Sequence, residues 1–325
     1  MIPGRSKIAA LAAVARVLAR ELAATAALLV GVSLTVFAIL ALAPGDPVAA
    51  LLGGNLPAGA ERDAVYEALN IPKTWYGQYL SWVGNLLHGD FGNSLRTGQP
   101  VAQEIVASGL RTLFLTVGAL FVTLAVAVPI AVHGALRPDS RRVAVLTMAV
   151  YVVSALPVFW LGYIVIFVFS RQFGIFPILS ASGGEGQMVW LYALLPLLLL
   201  GLASGTLSEA VRHLREEVAR VLNEEYVRTA RAKGASVWRH AYKEALVLPV
   251  AEIVASKMPF VLGGAIIVEQ VFNWPGLGRL AWQAAQDRDF PVIMGIAMAA
   301  ALVVRLASFA HRAVYVAVNP RASHE

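Results

Sequence analysis

The 325-residue sequence has no cysteine and little charge, with 14% Asp, Glu, Lys and Arg against about 25% in an average soluble domain. Without cysteine the chain can form no disulfide, thiolate metal site or thiol nucleophile. Because 58% of its residues are hydrophobic, too few polar groups remain to cover a water-soluble globule. The composition predicts an all-α integral membrane protein with the lipid bilayer as solvent.

Nucleotide-binding and catalytic motifs are missing as well. None of the five lysines lies in a Gly-x-x-x-x-Gly-Lys-Ser/Thr frame, so we expect no P-loop for ATP in this chain. His-Glu-x-x-His and Gly-x-Ser-x-Gly are also absent, and the six histidines are scattered. The sequence therefore predicts a protein that is not an enzyme by itself and has no catalytic site, cofactor or metal.

Six long apolar stretches are each long enough to cross a hydrocarbon core of about 30 Å as a helix. They are Leu22–Ala43, Thr112–Leu136, Val143–Ser170, Gly186–Ser208, Leu246–Val268 and Phe290–Val318. A secretory signal peptide is the alternative for the first stretch, but its 22 uncharged residues exceed the hydrophobic region of about 7 to 15 residues that signal peptides have. We therefore expect six transmembrane helices.

Basic residues are distributed unevenly between the segments that join these helices. Alternate segments, namely the N-terminus, 137–142, 211–245 and the C-terminus, hold 17 Lys and Arg, against 6 on the other side. The positive-inside rule then places both termini in the cytoplasm. The net charge of +6 follows from this topology, and we expect no nucleic-acid partner.

Spans and orientation together predict the organisation of the whole chain. A cytoplasmic segment 1–20 precedes a first transmembrane helix 21–43, an extracytoplasmic loop 44–108 with short helices, a five-helix core 109–318 that contains a cytoplasmic loop 211–248, and a cytoplasmic tail 319–325.

The outer loop 44–108 is too long to be a simple turn. It begins with the turn-forming sequences Pro44–Pro47 and Gly53–Asn55. A helical pattern follows, with four apolar or aromatic residues on one face: Trp75, Tyr79, Trp82 and Leu86. Such a stripe is typical of packing against a helix bundle or lying at the membrane interface, and a ligand-stacking platform is the alternative.

The inner loop is the most charged part of the chain, and its middle combines small residues with a basic frame. The small residues are Ala230, Ala232, Gly234 and Ala235. They would let a short helix sit close inside a groove of a partner while Arg and Lys hold its rim. The alternative is a solvated basic loop that only sets the topology.

Four ionisable residues lie in or beside predicted spans: Glu252, Lys257, Glu269 and Arg305. Charge in hydrocarbon is costly, so each is either functional or neutralised by pairing or snorkelling. A proton or ion relay would need a string of such groups through the midplane, and none is present. Glycine and proline within spans permit bends or close helix packing. The candidates for a translocation path or gate are Pro157, Gly263, Gly264 and Glu269.

Several segments together resemble the inner-membrane permease subunits of ABC importers of the dipeptide, oligopeptide and nickel family. The segments that carry the resemblance are Ala43–Pro47, Gln78–Trp82, Gly89–Ser94, Pro100–Val101, Pro157–Trp160, Tyr226–Gly234 with Leu248–Pro249, Glu269–Gly278 and Arg288–Val292. The chain departs from the family pattern at Arg228–Ala230, where Glu-Ala-Ala is usual, and at Ser308 and Arg312 in the last span.

The resemblance implies a type I importer permease (MetI-like) fold in a bacterial inner membrane. It implies a coupling helix in the 225–240 loop that docks on an ATPase subunit, with Arg228, Thr229, Ala230, Lys233 and Gly234 as the docking residues. It also implies the partners: a second homologous permease, two ATP-binding cassette subunits that bind the ATP and Mg²⁺, and an extracytoplasmic solute-binding protein.

The substrate class implied by the resemblance is peptides or related small solutes. The alternatives from other classes are an ATP-independent secondary carrier or channel, a membrane-embedded enzyme and a purely structural subunit. A carrier or channel would need relay or selectivity residues at the midplane, and an enzyme would need a catalytic constellation facing a cavity. A structural subunit would leave the inner-loop motif unexplained.

Overall fold

The structure is a computed structural model, and it describes the backbone of residues 3–42, 63–64, 67, 72, 74–173, 189–203 and 205–318. Side chains are described for the same residues except 3–18, 173, 189–191, 259–262, 264, 311 and 316–318. The predicted turns Pro44–Pro47 and Gly53–Asn55, the segment 174–188 and the tail 319–325 lie outside the described residues. Every named element within these ranges is helical, which confirms the all-α class.

The named helices follow one another along the chain with short connections. They are α1 (Pro3–Leu42), α2 (Trp75–Leu87), α3 (Val101–Leu136), α4 (Arg141–Ala155), α5 (Val158–Phe173), α6 (Val189–Ala203), α7 (Thr206–Leu222), α8 (Glu225–Ala232), α9 (Val237–Tyr242), a π-helical turn (Lys243–Val247), α10 (Leu248–Val271), α11 (Leu277–Asp287) and α12 (Phe290–Val318).

Three helices in the described ranges are long and apolar enough to cross a membrane: Ala19–Leu42, Val101–Leu136 and Phe290–Tyr315. The number is up to five if two bent helix pairs each form one span. The predicted fifth span, Leu246–Val268, corresponds to α10, which is helical over 24 residues. The structure therefore agrees with a membrane protein, and the count of six spans stays a prediction.

The two bent pairs correct the expectation of straight third and fourth spans. α4 and α5 meet at 95° and α6 and α7 at 52°. Pro157 ends α4 because it lacks an amide hydrogen and forces Leu156 into an extended conformation, with ψ of 138°. Gly205 adopts φ of +76° at the second bend, a left-handed conformation that suits glycine.

The chain divides into two compact units, and the first consists of residues 1–106 and 281–305. In this unit Tyr79 of α2 packs on α1: its ring centroid lies 5.2 Å from that of Phe37, and its hydroxyl lies 2.9 Å from Ser33 Oγ. Trp75, on the same predicted stripe, is exposed. The packing interpretation therefore holds for Tyr79 within the described residues.

A buried carboxylate organises another part of the first unit. Ser94 donates a hydrogen bond to Asp289 Oδ2 at 2.5 Å, and the Arg96 amide donates to the same oxygen at 3.3 Å. Asp289 also accepts from the Val292 amide at 3.5 Å, at the start of α12. The resembling segments Gly89–Ser94 and Arg288–Val292 are thus joined to each other.

The second unit consists of residues 107–280 and 306–325. Its core forms three apolar clusters: the first joins α3, α6 and α10, the second joins α3, α4, α7 and α10, and the third joins α7, α8, α9 and the π-helical turn. Gly201 lets α6 approach α3 closely, because a Cβ there would lie 2.7 Å from the Ala119 carbonyl oxygen. Thr123 Oγ1 donates to the Gly201 carbonyl at 2.7 Å and fixes this contact.

Candidate functional site

α7 forms because its apolar residues recur every three to four positions. The buried residues are Thr206, Leu207, Ala210, Val211, Leu214, Val218 and Val221, and charged residues occupy the opposite face. Exposed ion pairs add support along that face: Arg212 with Glu216 at 3.6 Å and Arg220 with Glu217 at 2.6 Å. This helix is the base from which the charged inner loop is presented.

The docking element, residues 225–240, is anchored to this base by apolar contacts. Val227 of α8 is fully buried and belongs to the cluster formed with Val218 and Val221 of α7 and Ala241 of α9. Tyr226 adds a polar link, because its hydroxyl donates to Glu244 Oε2 in the π-helical turn at 2.7 Å. α8 therefore has a fixed position on the second unit although it is only 8 residues long.

The remaining face of α8 carries the predicted docking residues into solvent. Arg228, Thr229, Lys233 and Gly234 are all exposed. Gly234 ends the helix with φ of +68°, a left-handed conformation that other residues adopt only with strain. Ala230 differs from its prediction: it is 7% exposed and faces the interior, since the spacing of three residues from Val227 places both on one face.

Burial and the hydrogen bond to Glu244 raise the pKa of Tyr226 to about 12, from an ordinary value of 10.0. The neutral phenol is thus the stable form at physiological pH, and it keeps its hydroxyl hydrogen to donate to Glu244.

A π-helical turn connects the docking element to α10. The Leu248 amide donates to the Lys243 carbonyl, five residues earlier, instead of the usual four. Pro249 follows directly and has no amide hydrogen to donate, which explains the widened turn at this position. The docking element and α10 therefore form one continuous helical connection, so a displacement of α8 reaches α10 directly.

The predicted gate residues occupy different surroundings. Pro157 lies at the bend between α4 and α5. Gly263 lies in α10, and a Cβ added there would meet no atom within 4 Å. Gly264 is also in α10, but its surroundings lie outside the described side chains. Pro157 and Gly263 are thus compatible with bending, without any contact that marks a gate.

Glu269 is fully buried, and we call its set of contacts the Glu269 clasp. Its Oε1 accepts a hydrogen bond from Thr112 Oγ1 at 2.6 Å, and its Oε2 accepts from the Arg279 amide at 3.0 Å. Thr112 Oγ1 in turn accepts from the Leu277 amide at 2.6 Å. The carboxylate therefore caps the first turn of α11 and fixes it to α3 and α10.

The resembling segment Glu269–Gly278 owes its glycines to this clasp. A Cβ on Gly276 would collide with the carboxylate of Glu269, and one on Gly278 would lie 2.6 Å from the Ile266 Cα. Trp274 stacks on Phe114 with ring centroids 6.3 Å apart. These contacts favour a pairing role for Glu269 over a position on an open path.

The other three ionisable residues of the predicted spans are also paired. Lys257 forms an ion pair with Glu209, and Glu252 Oε2 lies 3.6 Å from His213 Nε2, so both pair with α7 and not with each other. Arg305 pairs with Glu21 of α1 at 2.7 Å and donates to Thr25 at 2.9 Å, within the first unit. Structural pairing is thus the observed state of all four.

Sequence reasoning missed two residues that organise these contacts. Thr112 and Asp289 are buried polar groups, yet nothing in their local sequence marks them as partners of residues 157 and 195 positions away. The glycines after Glu269 were the available signal for the clasp. In the described part of the chain, no group of three or more His, Asp or Glu is placed to hold a metal ion.

Comparisons with known proteins agree with this arrangement. The family "Binding-protein-dependent transport system inner membrane component" matches residues 124–324. The chain is 34% identical over 307 residues to the oligopeptide transport system permease protein AppB of Bacillus subtilis (strain 168), covering 90% of this chain and 95% of that protein. It is 36% identical over 302 residues to the glutathione transport system permease protein GsiC of Escherichia coli (strain K12), covering 89% and 92%.

Proposed function

The chain belongs to the family of binding-protein-dependent transport system inner membrane components, and on that premise we propose that it is one permease subunit of an ATP-driven importer of peptides or related small solutes. It is a multi-pass inner-membrane protein, and its relatives are permeases. The substrate proposal is supported by the names of two relatives, one an oligopeptide permease and one a glutathione permease. Glutathione is itself a small peptide-like molecule.

The proposed partners are a second homologous permease, two ATPase subunits and an extracytoplasmic solute-binding protein. The two permeases would form the translocation path between them. Both termini and the docking element would then lie in the cytoplasm, where the ATPase subunits bind ATP and Mg²⁺. This orientation is supported by the excess of Lys and Arg in the alternate segments.

The observation that carries the proposal is the construction of the docking element. Val227 and Tyr226 hold α8 in place, while Arg228, Thr229 and Lys233 project into solvent. A basic, exposed face on a firmly anchored short helix is suited to a groove of a partner protein. A loop that only sets the topology would need the charges but no anchored helix.

The proposed mechanism transmits movement through this element. ATP binding closes the two ATPase subunits, and the docked α8 moves with them as a rigid body. Because α8 continues through the π-helical turn into α10, its displacement would tilt α10 and switch the path between inward-facing and outward-facing states. The chain itself would hydrolyse no ATP.

The test is copurification of the tagged chain from detergent, followed by an ATPase assay. For wild type we expect ATPase subunits and a second permease to elute with the chain. Arg228→Glu reverses a charge on the docking face, and we expect it to reduce ATPase recovery at least tenfold. Arg142→Glu is the matched control, because Arg142 is an exposed Arg in the other predicted cytoplasmic loop, and it should retain wild-type recovery.

An opposite result would support the alternative from another class. If the wild-type chain elutes alone and still moves solute across liposomes without ATP, the importer proposal is wrong and a secondary carrier is the better account. Equal ATPase recovery with Arg228→Glu and Arg142→Glu would locate the docking contact elsewhere in the chain.

A further inference from the structure

A polar cavity of about 170 Å³ lies between α7 and α10, outside the docking element and the Glu269 clasp. We call it the α7–α10 cavity. The residues that give it its character are Glu209, Arg212, His213, Glu252, Ser256 and Lys257. Both helices belong to the second unit.

The cavity carries both signs of charge close together. Lys257 is paired with Glu209 across the two helices, and Glu252 faces His213 with 3.6 Å between Oε2 and Nε2. The carboxylates are far from saturated, since the side chains of Glu209 and Glu252 are 52% and 57% exposed. A cation and an anion entering together would each find an opposite charge here.

The position of these charges along the chain excludes lipid as their neighbour. Lys257 lies inside the predicted span Leu246–Val268, and Glu209 directly follows the predicted span Gly186–Ser208. A charged side chain placed in hydrocarbon costs about 3 kcal/mol or more. The exposed side of this cavity therefore meets water or polar groups, as expected for the wall of an aqueous path.

The volume limits what can bind. A single water needs about 10 to 15 Å³ measured in this way, so the cavity holds more than one. Pockets that enclose a whole drug-sized ligand measure about 300 to 1,000 Å³. The cavity is thus sized for the charged end groups of a solute and not for its complete structure.

We propose that the α7–α10 cavity binds the charged termini of a zwitterionic peptide-like solute on the inner part of its path. Lys257, with Arg212 beside it, receives the terminal carboxylate, and Glu252 and Glu209 receive the terminal ammonium. This inference rests on the proposed function, because it concerns the solute of the same importer. In the empty state Lys257 and Glu209 neutralise each other.

Exchange of partners explains why such a site would release its solute. Binding replaces one internal ion pair with two pairs to the solute, so no charge is left buried without a partner. The net gain is small for the same reason, because the internal pair is lost. Weak binding suits a station on a transport path, from which the solute must leave again.

The experiment uses the complete importer in nanodiscs without its solute-binding protein, and trialanine as the probe. Because the chain has no cysteine, Ser256→Cys places its single thiol in the cavity. The rate of alkylation by a polar maleimide is measured on this chain, separated by electrophoresis. We expect saturating trialanine to slow alkylation at least fivefold, and N-acetyl-trialanine amide, which lacks both charged termini, to have no effect.

Further variants connect the protection to charge. In the Ser256→Cys chain, Lys257→Met should abolish protection by trialanine and Lys257→Arg should retain it. Glu216→Gln should also retain it, since Glu216 lies seven residues beyond Glu209 on the same helix but outside the cavity. Asp139→Cys, in an exposed turn, is the labelling control and should react equally with and without peptide.

Three outcomes would overturn the inference. Failure of Ser256→Cys to react without peptide would mean that the second permease or lipid covers the cavity. Reaction without protection would mean that it holds water only. Equal protection by the blocked peptide would mean that the charged termini are not recognised. Copurification of ATPase subunits is a separate readout, so the proposed function can hold while this inference fails.

Discussion

The docking element and the Glu269 clasp use the same kinds of residue in opposite ways. In the docking element apolar Val227 is inside and the charged residues are outside. In the clasp the charged group is inside, and all its hydrogen bonds are made within the protein. The difference teaches that a polar motif has two possible meanings, and that burial separates them: an exposed set serves a partner, and a buried, satisfied set holds the fold.

The largest expected effect comes from removing the charge of the clasp. Glu269→Ala leaves Thr112 and the Arg279 amide without their acceptor in a buried site, and we expect a loss of about 4 kcal/mol of folding stability. Thermal unfolding of the purified chain in detergent measures it. Glu269→Gln keeps one acceptor oxygen and should lose clearly less. Wild-type stability of Glu269→Ala would show that the clasp has no structural role.

A second way to break the clasp is steric. Gly278→Ala would bring a Cβ to 2.6 Å from the Ile266 Cα, and we expect a loss of about 3 kcal/mol. Gly263→Ala is the matched control in α10, because its Cβ would meet nothing within 4 Å and alanine favours helix. Equal unfolding midpoints for the two variants would contradict the close approach at Gly278.

The docking element should lose its anchor with a smaller effect on stability. Val227→Ala removes buried apolar volume, with an expected loss of about 2 kcal/mol. ATPase copurification should fall as well, because α8 is no longer held in place. Thr229→Ala changes an exposed residue on the same helix and should leave stability within about 0.5 kcal/mol. A stable Val227→Ala variant with unchanged ATPase recovery would show that the anchor is not needed.

The smallest effect concerns the link between Tyr226 and Glu244. Tyr226→Phe removes one partly exposed hydrogen bond, with an expected loss of about 0.5 to 1 kcal/mol. The folded-state pKa of Tyr226, about 12, lies above its ordinary 10.0, so the fold favours the neutral phenol. This contribution is complete below pH 10 and is lost as the pH rises through about 12.

The pH dependence gives the measurement for this last variant. Unfolding by denaturant is followed between pH 9 and 12 for wild type and Tyr226→Phe. The difference between the two should shrink over that range, because the wild type loses the favoured neutral phenol and the variant has none to lose. A constant difference would mean that the hydrogen bond to Glu244 does not depend on the phenol hydrogen.

Much of the fold could be predicted because its causes are local. Long apolar stretches specify helices in a bilayer, since every backbone polar group must be satisfied within the segment. The positions of α1, α3, α10 and α12 follow from that rule. The bend at Pro157 was also visible, because proline lacks the amide hydrogen wherever it occurs; its 95° angle was not, since it depends on what α5 packs against.

The candidate site was predicted in part for the same reason. The sequence marks Arg228, Lys233 and Gly234 as an unusual set of charged and small residues, and they are exposed. It does not show that Ala230 turns inward, because either face of an 8-residue helix could be the buried one. That choice is made by the apolar cluster with α7, whose members come from distant parts of the chain.

The sequence by itself determined the solvent, the helical class and the family of this protein, because composition, apolar run length and motif order are properties of the chain alone. Only the tertiary structure decided which ionisable residues are neutralised and by whom. Glu269 meets Thr112 across 157 positions and Lys257 meets Glu209 across 48. Such pairings depend on how helices pack, since the energy of a buried charge is set by the groups that packing brings to it.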